Sequence, residues 1–279
     1  MKDILVGIVT FNPDISRLKE NFNSIYNQDV DIIVFDNHSN NIKKIKNMIK
    51  FDYPKLHLIT NSKNHGLGFA YNYFFNIAIK KKYEWVMLLD QDSVCDSHLL
   101  AHYRKHLSDN KKVGMYTCII TDRNSSNNIK PFVGNYKDIF RCISSASLMR
   151  TKAYIEGCKY DEKFFIDKLD YDMCYLLHEH GYVIRMINYK GLLQEVGHSR
   201  DHKFLWHKFT VYNHSSFRRY YMARNGIWLS RKHSSRSFIK SVGKETIDII
   251  SVLFYEEDKI NKLKAFYKGI KDGFKMEIK

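Results

Sequence analysis

The chain has 279 residues, 44% of them hydrophobic and 14% aromatic, which excludes a disordered protein and provides for one large core or two small ones. A formal net charge of +15 selects anionic partners: nucleic acid, lipid head groups or phosphorylated small molecules. No run of roughly 18 apolar residues is present to span a bilayer, and five scattered cysteines without a CxxC exclude a zinc cluster or disulfide framework.

Residues 4–11, ILVGIVTF, form a continuous apolar run suited to a strand covered on both faces. The start has no signal-peptide pattern, and with the reduced thiols this predicts a cytoplasmic protein. NPDISRLKENFNSIYNQ follows as a helix, with Pro13 at its start and Ile15, Leu18, Phe22 and Ile25 on one face. Strands are predicted at 31–37 and 56–60, separated by the short basic helix NIKKIKNMIKF. GLGFAYNYFFNIAIKKK is a helix, and EWVMLLD is the fourth strand. Alternation at this spacing means βαβ units and a mostly parallel sheet. From about residue 113 the pattern loosens into mixed or antiparallel strands, and the tail KINKLKAFYKGIKDGF places Ile260, Leu263, Phe266, Tyr267, Ile270 and Phe274 on one side.

Each of the first four strands ends in polar residues: Thr10 and Asn12, Asp36 to Ser39, Asn61 to Asn64, and Asp90-Gln91-Asp92. Open parallel sheets bind ligands beyond the carboxyl ends of their strands, so four such clusters predict one pocket. Asp90 and Asp92, one residue apart, suit a divalent cation such as Mg²⁺, whose shell substrate phosphates and water complete. Capping of the next helix accounts for one of these acids but not both. Asp36 suits a ribose or base N–H, or an Asx turn. Gly66 and Gly68 open a helix where a backbone can approach a phosphate, or serve as a plain connection. In FFIDKLDYDMCYLLHEHGY, Asp167, Asp170 and Asp172 stand at a helix start, as one general base or as acids complementing the dipole. Arg218, Tyr221 and Arg224 share a helical reach suited to a diphosphate, a membrane or RNA. Ten cations and no acid occupy 202–244.

Taken in order, VGIVTFNP, VFDNHSN, NHGLGFAYN, LLDQDS, FFIDKLDYD and RRYYMARN resemble the GT-A glycosyltransferases of family 2, most closely their bacterial rhamnosyltransferase branch. The resemblance spans roughly residues 4 to 232. It implies an α/β fold, with a GT-A, Rossmann-like sheet flanked by helices. A nucleotide-binding half would cover 1–112, an acceptor-binding half 113–235, and an amphipathic helical extension 236–279. It further implies that Thr10, Asn12 and Asp36 hold the nucleoside, and that Asn64, Gly66 and Asn72 shape the ribose and phosphate side. Asp90 and Asp92 would form the DxD motif around Mg²⁺ or Mn²⁺, with Asp92 the stronger metal ligand. Asp170 would be the base of an inverting displacement on dTDP-β-L-rhamnose, and Arg218, Tyr221 and Arg224 would face the diphosphate or the acceptor.

Two departures stand out. Leu176 replaces the Arg common after the family's base, and Gln194-Glu195 stand nearest to where a metal-binding histidine is often found, His198 being displaced. Galactofuranose and hexose transferases using UDP-sugars share much of the pattern. The expected acceptor is a glycan or a polyprenyl-diphosphate-linked precursor, which fits a peripheral enzyme on an anionic inner membrane face. The tail's apolar side suits that surface, the core or a homodimer contact. Two other classes compete: haloacid-dehalogenase-type phosphatases, which place DxD nearer the N-terminus, and a non-catalytic basic binder. The basic binder leaves the strand-end acids unexplained, so no nucleic acid is expected.

Overall fold

The computed structural model describes residues 3–107, 111–123, 130–194, 200–204, 207–211, 213–233, 252–253 and 256–277, the side chains of 200–204 and 207–211 excepted. The chain divides into two compact units, Met1–Lys163 with Met173–Glu195, and Phe164–Asp172 with Val196–Lys279.

The first unit is built on a nine-stranded sheet. Its strands are β1 (Ile4–Thr10), β2 (Asp31–Asp36), β3 (His57–Thr60), β4 (Trp85–Asp90), β5 (Val94–Cys95), β6 (Val113–Asp122), β7 (Tyr136–Ile139), β8 (Leu148–Arg150) and β9 (Val183–Gln194). The order is β3-β2-β1-β4-β8-β6-β9-β5, with β7 also paired to β9. β3, β2, β1 and β4 run parallel, and β8 joins β4 antiparallel. Every residue of β1 is buried, as its unbroken apolar run requires. The chain travels outward from β1 to β3, then returns to lay β4 on the other side of β1. In open sheets such a reversal is where a ligand crevice is expected, here at the carboxyl ends of β1 and β4.

The helices of this unit are α1 (Ile15–Ile25), α2 (Ile42–Asp52), α3 (Leu67–Lys81), α4 (Leu99–Arg104) and α5 (Thr151–Ile155), together with most of α6 (Leu169–Glu179). Leu18, Phe22 and Ile25 of α1 are buried, as their spacing predicts. Pro13 lies one residue ahead of the cap, and Asp14 closes α1 by accepting from the N–H groups of Ser16 and Arg17. Gly7 lets α3 settle on β1, because a Cβ there would meet the Phe74 ring at 2.3 Å.

The second unit holds the hairpin β10 (Arg200–Phe204) and β11 (His207–Val211), then α7 (Ser216–Lys232) and α8 (Lys259–Lys275). Gly269 and Gly273 form the seam of α8 against α7, where added Cβ atoms would lie 2.4 Å from the Tyr220 carbonyl and 2.6 Å from that of Arg224. This divides the tail's supposed single apolar side. Phe266 is buried, whereas Ile260, Tyr267 and Phe274 are exposed, because the glycine seam sets the rotation of the helix. Arg231 donates to the carbonyls of Gly273, Phe274 and Met276 and so closes the end of α8. A buried network joins the two helices: Arg219 donates to Glu256, which also accepts from Lys262 at 3.0 Å. Among the described residues, no helix is long and apolar enough to cross a membrane.

Candidate active site

In the first unit the strand-end polar residues form a web. The pairing of β1 with β2 sets Thr10 beside Asp36. Thr10 Oγ1 donates to Asp36 Oδ1 at 2.9 Å, and the Ser39 N–H donates to Asp36 Oδ2 at 2.9 Å. Asp36 is buried, so these donors offset the cost of taking its carboxylate out of water. Asn12, in left-handed backbone, gives its N–H to Ser39 Oγ at 2.8 Å and accepts from the Asn40 N–H at 2.7 Å. Asn37, part of the strand-end cluster but without a role of its own in the sequence reading, joins this web to the start of α3: its amide donates to Gly66 O and accepts from the His65 N–H. Asn64 Oδ1 accepts from the Gly66 N–H at 2.8 Å, and Gly66 takes a φ of 83° as the cap of α3. Asn72 points elsewhere. Its amide donates to Tyr160 O and Glu162 and accepts from Tyr154 Oη and Tyr160 N–H, tying α3 to residues 154–162.

The β4 end is a tight turn in which the Ser93 N–H donates to Asp90 O at 3.2 Å. Buried Asn21 of α1 braces it from behind, donating to Asp90 O at 2.9 Å and Ser93 O at 2.7 Å. Ser145 completes the brace, accepting from the Asp90 N–H and donating to Ser93 Oγ. Gln91 clasps the Phe11 backbone, so the β1 and β4 ends are fastened together. The half-buried carboxylates of Asp90 and Asp92 therefore stand on a rigid turn at the switch point. Asp96, not Asp92, meets the next helix, accepting from the His98 N–H at 2.8 Å.

Among the described residues, no group of three or more His, Cys, Asp and Glu is arranged to hold a metal. Two carboxylates on one turn instead fit a hard cation whose remaining ligands are diphosphate oxygens and water. Gln194 Nε2 lies 3.5 Å from Asp90 Oδ2. Glu195 and His198 lie outside the described residues. Cys95 and Cys118 are buried, and burial pushes both thiols up, Cys118 to about 12, so neither offers a thiolate ligand.

The second unit carries Asp170. Its carboxyl is pushed up to about 6 by burial, against the opposing pull of the Tyr171 N–H and of Lys168. The side chain keeps part of its surface open. The segment leading to it is bent: Phe165, Asp167 and Lys168 all have φ between 61° and 67°. Three α7 side chains hold that bend. Asn225, fully buried, donates to the carbonyls of Phe164, Ile166 and Asp167 at 2.6–2.9 Å. Arg224 donates to Phe164 O and to Asn225 Oδ1, and Arg218 pairs with Asp167 at 3.0 Å. Tyr221 lies against Phe165, ring centroids 5.1 Å apart, with the Arg224 guanidinium 4.5 Å from its centroid. Arg218 and Arg224, expected from sequence to face a diphosphate or the acceptor, make bonds to the segment that leads to Asp170. Asn225 went unselected because a lone helical asparagine looks like any other until its carbonyl partners are known. Asp172 is buried and structural, accepting from Lys232 at 2.9 Å and lying 2.8 Å from His233 Nε2.

The basic block of 202–244 therefore serves the fold in part. Arg218, Arg219, Arg224, Arg231 and Lys232 all make bonds within the unit. The side chains of Lys203 and Lys208, and residues Arg236, Lys240 and Lys244, lie outside those described.

The sequence model of glycosyl transferase family 2 matches residues 5–160. The dTDP-rhamnosyl transferase RfbF of Shigella flexneri is 25% identical over 98% of this chain and 96% of its own length. Among solved structures, S. aureus TarS 1-349 in complex with UDP-GlcNAc matches with a TM-score of 0.60 at 14% identity, over 98% of this chain and 81% of that one. GalNAc-T7 with UDP, GalNAc and Mn²⁺ matches with a TM-score of 0.63 at 13% identity, over 98% of this chain and 55% of that one. At such identities these structures speak for the fold alone.

Proposed function

The chain belongs to glycosyl transferase family 2, and on that premise we propose that it transfers L-rhamnose from dTDP-β-L-rhamnose to a glycan hydroxyl. The acceptor class is a cell-surface polysaccharide or its lipid-linked precursor, elaborated at the cytoplasmic face of the membrane. The observation that carries the reading is the braced Asp90–Ser93 turn at the reversal of strand order, where a nucleotide diphosphate is expected. The rhamnose assignment is supported by the likeness to the Shigella flexneri enzyme along nearly the whole chain.

In this reading Thr10, Asn12, Asp36, Asn64 and Gly66 shape the nucleotide side, with Asn37 binding their loops together. Asp90 and Asp92 would hold Mg²⁺ or Mn²⁺, which supplies charge neutralisation to the diphosphate when bound. Asp170 takes the proton of the acceptor hydroxyl. The oxygen attacks the anomeric carbon as the bond to the diphosphate breaks, its electron pair leaving with dTDP, and the product is an α-L-rhamnoside. A base titrating near 6 is ionised at neutral pH yet close enough to it to share a proton in the transition state.

Thermal unfolding with dTDP, UDP and GDP, each with and without Mn²⁺, tests this on the wild type and on Asp92→Ala. A nucleotide at 100 times its Kd adds about 2.7 kcal/mol, a rise in Tm of several degrees. Metal-dependent stabilisation by dTDP, lost in Asp92→Ala, is expected. A preference for UDP moves the donor to the UDP-sugars, and no response to any nucleotide defeats the reading.

A further inference from the structure

The side of α8 turned away from α7 has chemistry that catalysis does not use. The glycine seam holds the rotation of this helix, so positions i, i+4, i+7, i+11 and i+14 from Ile260 fall on the opposite face. They are Ile260, Lys264, Tyr267, Lys271 and Phe274, and all five are exposed, Ile260 to 68% and Tyr267 to 70%. Lys268 and Lys275 stand beside the stripe, also exposed. Asp272 is the only acid within the helix, and it accepts from Tyr220 Oη at 2.8 Å on the α7 side.

We propose that this stripe docks on the surface of an anionic lipid bilayer. Large apolar side chains interleaved with lysines match the boundary where acyl chains meet phosphate: the rings and the isoleucine enter the apolar layer while the ammonium groups reach the head groups. The charge argues against a second copy of the chain as occupant, since the same stripe in a symmetric contact sets lysine against lysine. Anionic head groups are the complementary surface. The inference deepens the proposed function, for a lipid-linked acceptor lies at such a surface, but its readout needs no donor.

Flotation of the full chain with phosphatidylcholine vesicles, with and without about one-third phosphatidylglycerol, tests it. The wild type is expected to float with the anionic vesicles only, and to be released by high salt. Lys264→Glu combined with Lys271→Glu should lower the bound fraction on the order of tenfold, with wild-type unfolding and an unchanged dTDP response. Tyr267→Ser should lower it a few-fold. The proposal is overturned if the wild type does not float, floats equally with neutral vesicles, or if the lysine variant binds as well as wild type. A dimer in light scattering that Tyr267→Ser dissolves, without flotation, also overturns it in favour of a second copy. Flotation without any nucleotide response leaves this inference standing and defeats the proposed function.

Discussion

The strand-end web of the first unit and the Phe164–Asp172 segment of the second hold their candidate residues by opposite means. In the web, short polar side chains bond to backbone already placed by the sheet, and neighbours cross-support one another: Thr10 to Asp36, Asn12 to Ser39 and Asn40, Asn37 to His65 and Gly66. In the segment, three non-glycine residues sit in left-handed backbone, at a cost of about 1–3 kcal/mol each, and one helix supplies the bonds that hold them. The web is redundant and the segment is not. Damage to the web should therefore be graded, and damage to the segment should reach the chemistry directly.

The strongest way to break this contrast is Asp170→Asn. It should lower kcat by about 10²–10⁴ with dTDP binding unchanged. It should also stabilise the protein at neutral pH. A carboxyl whose folded pKa is near 6 and unfolded pKa near 3.8 binds more protons folded than unfolded, so its contribution grows less favourable as pH rises between those values. Removing the charge recovers about 3 kcal/mol well above pH 6, while the Asn oxygen still accepts from the Tyr171 N–H. Urea unfolding at pH 5 and pH 8 checks this, with the larger gain expected at pH 8. For the wild type, activity should fall as pH drops through 6.

A matched pair sharpens the comparison. Asn225→Leu strips the common donor from three carbonyls and should cost about 1–3 kcal/mol, with kcat reduced at least tenfold and the Kd for dTDP held. Thr10→Val removes one donor from buried Asp36 at a similar cost in stability, but should weaken dTDP binding and leave kcat at saturation nearly intact. If both variants change the same kinetic parameter, the division of labour is wrong.

The smallest effect belongs to Arg218→Ala. Its pair with Asp167 is partly open to solvent, so stability should fall by less than about 1 kcal/mol and kcat by only a few-fold. A loss above a hundredfold would return Arg218 to the diphosphate, as its basic character first suggested.

The parallel core and the Thr10, Asp36 and Asp90 positions were legible in the sequence because strand ends are marked by short-range pattern, where an apolar run gives way to Asp, Asn or Thr. Asp170 is a candidate by its motif alone. The bonds that hold the segment before it are not legible in the sequence, since Asn225 lies far along the chain from the carbonyls it serves. Leu263 and Ile270 share the apolar periodicity of Phe266, yet periodicity could not foresee that two glycines, and not the large side chains, would form the seam of α8.

Sequence by itself therefore determined the alternation of elements, the family and the acids at the strand ends, all encoded in neighbouring residues. Tertiary structure alone decided which cations bond within the protein, which asparagine holds the bent segment, and which face of α8 meets solvent. Those outcomes depend on distance between remote residues and on the closest approach of two backbones. Hydrogen bonds and steric contact act over only a few ångströms, and the fold brings those atoms within reach.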